Sequence, residues 1–451
     1  MAALIDVAYL IMGQSPPSST YNEGGDGLAF FQGKTDFGFR HPTPRLFCSA
    51  PLKIAKPDDI LMSVRAPVGP TNIADRECCI GRGLAAIRPR NIDGDFLFFN
   101  LRYIEKSIAS LGSGSTFHAI NKSQLASLEV NPHEFSLPEQ RKIAGVLGVV
   151  QRAIEQQERL LALTAELKKA LLHQLFTAGL HGEPQKQTDI GPVPESWEVV
   201  ELISAVEQID YGISAPIPKA APENGVKIVS TADITKDGRL LYEKIRRIEA
   251  PEKTVKRLTL QTGDVLFNWR NSAELIGKSA VFQEQSEPHV FASFILRIKC
   301  GEKKSHNFFL AHLMNYFRET SVFLKLARRA VNQANYNRNE LSVLKIPLPN
   351  YPEQREIADA IGAVDAKLHH HRMKKSKLGD LFRTLLHQLM SAQIRVHDLD
   401  LDNLECILER GDVSPLSEGA TRRADQSADS SAHSKKENGD TSPQVTIRKV
   451  K

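Results

Sequence analysis

Few residues in this chain have types and spacing that could do chemistry, and most of those fail on spacing. Gly277-Lys278-Ser279 ends like a phosphate-binding loop, but that loop needs a glycine five residues before Gly277, where the chain has Ser272. Gly112-Ser113-Gly114-Ser115 does not complete G-x-G-x-x-G, because the sixth position is Phe117. Pro16-Pro17 follows Ser15, which has neither the amide nor the carboxylate that an amino-methyltransferase core requires. His369, His370 and His371 could ligate a metal, yet consecutive helical residues point about 100° apart and cannot converge on one ion. Solvated histidines are the simpler reading. Cys48, Cys78, Cys79, Cys300 and Cys406 contain no C-x-x-C pair. That spacing favours neither a zinc site nor a disulfide framework and fits a reducing, cytoplasmic setting. No Ser/His/Asp or Cys/His constellation stands out, so the chain is expected not to be an enzyme acting alone.

The elements that would position any site emerge from a repeat. Residues 138–179 and 352–393 align without a gap at an offset of 214, with 15 of 42 positions identical, including PEQR, IA and LLHQL. In both copies residues recur at alternating steps of four and three. The first series runs Ile143, Leu147, Val150, Ile154, Gln157, Leu161, Thr164, Lys168, Leu171, Leu175. The second runs Ile357, Ile361, Val364, Leu368, His371, Lys375, Leu378, Phe382, Leu385, Leu389. This spacing predicts two long helices with a narrow apolar seam. Pro138 and Pro352 suit a first helical turn, and Glu139 and Glu353 complement its dipole. Gln157, His371 and Lys375 fall within the seam, where polar residues fix register or lie at a solvated crossing.

The repeat extends backwards. INKSQLASLEV (120–130) resembles YNRNELSVLKI (336–346), and PDDILMSVRAPVG (57–69) resembles TGDVLFNWRNSAELIG (262–277). Asp59 and Asp264 each precede a short apolar strand followed by Arg65 or Arg270, and these arginines could equally pair with those aspartates. Short β-type runs such as LAAIRPR and VFASFILRIKC complete an α+β expectation. Six segments follow: a globular unit over 1–136, a helix over 137–179, a Gly- and Pro-rich linker over 180–196, a second globular unit over 197–350, a second helix over 351–395, and a tail over 396–451, largely disordered on composition.

The chain has 451 residues and a net charge of +5. No stretch approaches the ~18 apolar residues of a membrane span. Residues 1–136 carry 13 basic and 13 acidic side chains, whereas 197–350 carry 22 and 17, so the charge excess lies in the second unit. Affinity for a polyanion would have to come from local patches. Two diverged units on duplicated helices make a molecular ruler, suited to two half-sites of a duplex at a fixed gap.

The chain resembles the specificity subunits of type I restriction-modification systems over residues 1–395. GQSPPSSTYNEGGDGLAFFQG, KIAKPDDILMSVRAPVG and IGRGLAAI are similar to one type of target recognition domain, and GDVLFNWRNSAELIGKSAVF to another. Both PEQR helices resemble the family's conserved spacers, and LHGEPQKQTDIGPVPESWE its junction into the second domain. The resemblance implies two target recognition domains and two antiparallel coiled-coil helices. It further implies a non-catalytic subunit that reads double-stranded DNA and docks modification (methyltransferase) subunits, two of them in the expected complex, with restriction/translocase subunits joining through it. Cofactors would reside on those partners: S-adenosylmethionine, ATP and Mg2+, with none on this chain. A methylation-only specificity subunit and a coiled-coil adaptor that binds proteins are the alternatives. One departure is that the second unit opens with Pro194-Glu195-Ser196-Trp197, whereas the first begins at Leu4-Ile5-Asp6; a shortened first strand or a misplaced start codon would produce this.

Given that resemblance, DNA reading calls for donors to base edges and cations to phosphates. The richest stretch is the loop expected over 327–341. Arg328, Arg329 and Arg338 suit phosphate or guanine, and Asn332, Gln333 and Asn335 suit adenine. Its counterpart over 113–123 offers Ser115, Thr116, His118, Asn121 and Lys122. Arg65 and Arg270 come next, then Lys34 and Arg40.

Overall fold

The computed structural model describes residues 2–111, 119–130, 134–218, 222, 224–323, 328–330 and 333–399; the expected disordered tail lies outside them apart from its first few residues. The chain forms two units, residues 1–161 with 370–451, and residues 162–369. The division cuts through both long helices, Leu137–Ala178 and Tyr351–Met390, rather than falling at their ends. The reason is packing: each globular part buries its helical face against half of either helix.

In the first unit a four-stranded antiparallel sheet has the order Ala8–Met12, Leu84–Pro89, Ile60–Ser63, Thr71–Ile73. Its strands are apolar at consecutive positions because both faces are covered. Ile60 and Met62 enter the core shared with the helices, while Leu61 turns into the core beneath a five-stranded mixed sheet. Asp93 caps the helix Gly94–Tyr103 by accepting the Phe96 N–H at 2.9 Å, and this helix buries Phe96, Phe98 and Phe99. Against them lie Ile143, Leu147 and Val150 of the first long helix, and Leu378, Phe382, Leu385 and Leu389 of the second. Full burial of such a side chain contributes about 1.5–3 kcal/mol. The two helix segments are antiparallel: Glu158 pairs with Lys375 at 2.6 Å, and Glu139, in the first turn of the first helix, with Arg395, just beyond the end of the second, at 3.3 Å. Within this seam the His371 ring Nδ1 lies 2.9 Å from Gln157 Oε1, joining residues that hold the same position in the two repeats. His369 and His370 are exposed.

The second unit repeats the plan. Val206–Tyr211, Ile295–Cys300, Val265–Asn268 and Ser279–Val281 form a sheet of the same order and direction. Val265 and Phe267 face the helical core, and Leu266 the opposite one. Here Leu172, Leu175 and Phe176 of the first long helix meet Ile357, Ala358 and Ile361 of the second, and Lys168 pairs with Asp365 at 2.6 Å, again antiparallel.

Register makes the equivalence specific. Gly13 and Gly212 directly follow equivalent strands, and a Cβ on Gly13 would lie 2.1 Å from the Gly81 carbonyl oxygen and one on Gly212 2.2 Å from that of Phe291. The first strand of the chain is short, Ala2–Ala3, where its counterpart Glu198–Glu201 has four residues, yet each pairs with the strand that precedes its long helix. Trp197 donates its Nε1–H to Glu353 at 3.1 Å; in the first unit Arg395 meets the equivalent Glu139.

Candidate nucleic-acid interface

The stretch over 327–341, expected as a loop, contains strands. Arg328–Ala330 and Gln333–Asn335 pair antiparallel, and Arg270–Asn271 pairs with the second of them, placing Arg270 opposite Asn335. A run of Asn, Gln and Arg reads as loop in sequence, but the cross-strand partner supplied by residues 270–271 makes it a ribbon. This brings Arg270, Arg328, Arg329, Gln333 and Asn335 into one three-stranded sheet; Asn332 lies outside the described residues.

Aromatic side chains support the ribbon. The Arg270 guanidinium lies 5.2 Å from the ring centre of exposed Phe294. Trp269 is fixed by an Nε1–H bond to the Ser293 carbonyl at 2.7 Å, and its ring packs edge-on against Phe294 and Tyr211. Exposed Tyr211 accepts the Arg338 backbone N–H at its hydroxyl at 3.0 Å. Beneath, the backbone N–H of buried Tyr336 donates to the Trp269 carbonyl at 2.8 Å, and burial, with the nearby Glu340 charge, pushes its phenol up to about 12. Arg338 is exposed at the start of a short helix capped by Asn337. The Asn335 side-chain oxygen is buried without a hydrogen-bond partner among the described residues. A buried unpaired acceptor is costly until something donates to it. The sequence reading missed Tyr211, Trp269 and Phe294, which look like ordinary core aromatics until Tyr211 and Phe294 are seen to be exposed and Trp269 half-buried against both.

The first unit has the same connection. Arg65 bridges Ala119 as Arg270 pairs with Asn335, and Arg65 is exposed. Ser115, Thr116 and His118 lie outside the described residues. Asn121 is spent on a helix cap, accepting the Gln124 N–H at 2.9 Å, and Lys122 is exposed at the first position of that helix. Lys34 is exposed, and Arg40 is engaged by Asp95 and lies over Phe98.

Neither Arg65 nor Arg270 pairs with the repeated aspartates. Arg88 grips Asp59 through two bonds of 2.8 and 2.7 Å, and Arg297 lies 3.8 Å from Asp264. Cross-strand register decides this, since Ile60 opposes Ile87 and so sets Asp59 beside Arg88. Arg65 and Arg270 are both exposed. Lys278, of the rejected phosphate loop, is buried and donates to the Thr231 carbonyl at 2.7 Å and to that of Ile234; burial pushes its pKa down. Among the described residues no group of His, Cys, Asp or Glu is arranged to hold a metal, and no helix is long and apolar enough to cross a membrane.

Two α+β units of one plan, built onto antiparallel helix segments and each exposing an arginine, Arg65 or Arg270, after its matched strand, define a duplicated protein. The family model for the type I restriction modification DNA specificity domain matches residues 46–165 and 194–378, and the chain belongs to that family, the specificity subunits of type I restriction-modification systems. It is 44% identical over 170 residues to the type I restriction enzyme MjaX specificity subunit of Methanocaldococcus jannaschii, a match covering 37% of this chain and 40% of that one. It is 25% identical over 318 residues to the MjaVIII specificity subunit of the same organism, covering 68% and 72%. The chain thus spans two-fifths of the length of the first relative and nearly three-quarters of the second. The crystal structure of a type I restriction-modification S subunit from M. genitalium shares the fold, with a TM-score of 0.58 over 85% of this chain and 94% of that one at 14% identity.

Proposed function

We propose that this chain is the DNA-reading subunit of a type I restriction-modification complex. Each unit reads one part of a bipartite duplex target, and the paired helices hold the gap between the parts and dock the methyltransferase subunits. The chain itself performs no chemistry: S-adenosylmethionine, ATP and Mg2+ serve the partner subunits, and the complex works in the cytoplasm. The observation that carries this reading is the duplication at the level of register, in which equivalent arginines leave equivalent strands opposite equivalent partners, Arg65 to Ala119 and Arg270 to Asn335. A protein that bound one ligand at one site would have no use for two diverged copies of the same edge.

In the ribbon of the second unit, cations meet phosphates and the amides of Gln333 and Asn335 meet base edges. The modest net charge of +5 fits a subunit that relies on its partners for part of its grip.

Methylome sequencing of the host with and without the gene tests the reading. The expected result is a two-part methylated motif with a fixed gap that disappears with the gene. A methylome indifferent to the gene would refute it and favour a protein-binding adaptor.

A further inference from the structure

The repeated PEQR motif contains a glutamine whose chemistry the function above leaves unused. Gln140 and Gln354 are 3% and 1% exposed, unusually deep for an amide in the first turn of a helix. Their side chains share two equivalent bonds in the two units. Gln140 Oε1 accepts the backbone N–H of Asp93 at 3.0 Å, and its Nε2 donates to the Phe135 carbonyl at 3.0 Å. Gln354 Oε1 accepts the backbone N–H of His306 at 2.8 Å, and its Nε2 donates to the Pro349 carbonyl at 2.9 Å and to that of Lys304 at 3.0 Å. Asp93 and His306 are the N-cap residues of equivalent helices, Gly94–Tyr103 and Asn307–Glu319, which carry the aromatic cores of their units.

A helix N-terminus has backbone N–H groups without internal partners, and a buried one must find an acceptor elsewhere. In both units that acceptor is one amide, which simultaneously ties down the chain entering the long helix. Each glutamine therefore joins three segments: its own long helix, the strand-to-helix connection before it, and the N-terminus of the core helix. A buried amide with both ends bonded tolerates little rotation, since any tilt of the globular part on its helix breaks two or three bonds at once.

We propose that Gln140 and Gln354 are positioning residues that fix each recognition unit on its long helix, and so set how strictly the gap between half-sites is held. This rests on the function proposed above. The glutamines touch no DNA in this scheme; they act through the orientation of the elements they join.

The test is a methylome comparison in cells carrying the whole complex, with Gln140→Ala, Gln354→Ala and the double variant. Both half-site sequences are expected to stay unchanged, while methylation at sites whose gap is one base pair longer or shorter rises about tenfold, the factor that corresponds to the loss of roughly one buried hydrogen bond. The double variant broadens the gap further. Should the alanine variants fail to accumulate, Gln140→Met and Gln354→Met, which keep the volume but lose the bonds, are read in the same way. A control, Phe99→Leu, weakens the same core without touching the latch and is expected to keep a single gap. An unchanged gap in variants that still methylate, or equal broadening in the control, would overturn the proposal. Failure of the functional reading is seen separately, as a wild-type methylome without a two-part motif.

Discussion

The two units solve one electrostatic problem in different ways. Each places an aspartate just before a central strand, and each aspartate accepts a backbone N–H three residues earlier, Lys56 to Asp59 at 2.8 Å and Gln261 to Asp264 at 2.9 Å. In the first unit the cross-strand neighbour, Arg88, neutralises the carboxylate with a forked pair while remaining one-third exposed. In the second unit the equivalent position is Lys299, which bonds Gln261 instead, and the cation comes from Arg297, one strand repeat earlier and 4% exposed. Arg297 also serves Asp210 at 2.7 Å, in a place where the first unit pairs Ile11 with Ala86. The second unit thus carries a three-charge cluster around a buried arginine where the first has a pair with a partly exposed one. A fold can keep a carboxylate and move its counter-ion, provided the new cation lies on the same strand face. The electrostatic consequences follow: burial raises the Asp264 pKa, opposed by the Gln261 N–H and by Arg297. Burial alone would raise Asp210 as well, but the bonds from Arg297 and Gln208 and the Arg297 charge hold it low.

The widest difference is expected from removing the cation. Arg297→Ala leaves the buried Asp264 carboxylate without its nearest cation and removes the pair with Asp210, and should cost about 3–5 kcal/mol, as breaking buried pairs does. Arg88→Ala, whose site water can reach, should cost about 2 kcal/mol. Urea unfolding of the two variants checks this, and equal losses would break the comparison.

A second asymmetry is acid sensitivity. Among the described residues, the histidines pushed down by their surroundings all lie in the second unit. Burial and the charges of Lys168 and His306 take His312 down to about 3, and burial lowers His289 and His306. A histidine with a depressed folded pKa gives stability that is fully present above its unfolded value of 6.5 and is lost as pH falls toward its folded value. For His312 that window runs from 6.5 down to about 3. Between pH 7 and pH 5 the loss is about 2 kcal/mol for His312, because the unfolded form protonates and the folded form does not. Hydrogen exchange followed by mass spectrometry should show the second unit loosening before the first over this range, and His312→Phe should narrow the difference. Uniform loosening would remove the asymmetry.

The parts legible in the sequence were those encoded by short-range spacing. The four-three recurrence from Ile143 and from Ile357 marks both helices, and the INKSQ and YNRNE segments mark a cap that both units use, at Asn121 and Asn337. What stayed hidden depends on which strand lies beside which. Arg65 and Arg270 stand close to Asp59 and Asp264 in sequence, but pairing with residues 84–89 and 295–300 brings in Arg88 and Arg297 instead. The candidate interface was half-visible for the same reason. Its Asn, Gln and Arg residues declare polarity, whereas the ribbon needs Arg270 as a distant partner, and its aromatic support reaches from Tyr211 to Tyr336 across the unit. The Gln140 and Gln354 latches were visible only as repetition, since nothing in PEQR says that the amide reaches the helix caps at Asp93 and His306.

The smallest effect expected concerns the helical seam, where each unit holds a polar pair of its own kind. In the first unit Gln157, 4% exposed, meets His371; in the second, Lys168 meets Asp365. A polar pair in an apolar seam costs stability and specifies register. Replacing Gln157 and His371 together by leucine should therefore stabilise the first unit by about 1 kcal/mol, since neither polar group is left behind unpaired. Replacing Gln157 alone should gain less, because it removes the contact with the imidazole at 2.9 Å while keeping the polar ring in the seam. The two variants separate the cost of the pair from its role in register. If the double variant gains stability yet the methylated gap becomes mixed, the pair selects alignment between the helices; if the gap stays single, the remaining ion pairs, Lys375 with Glu158 and Lys168 with Asp365, hold the register without it.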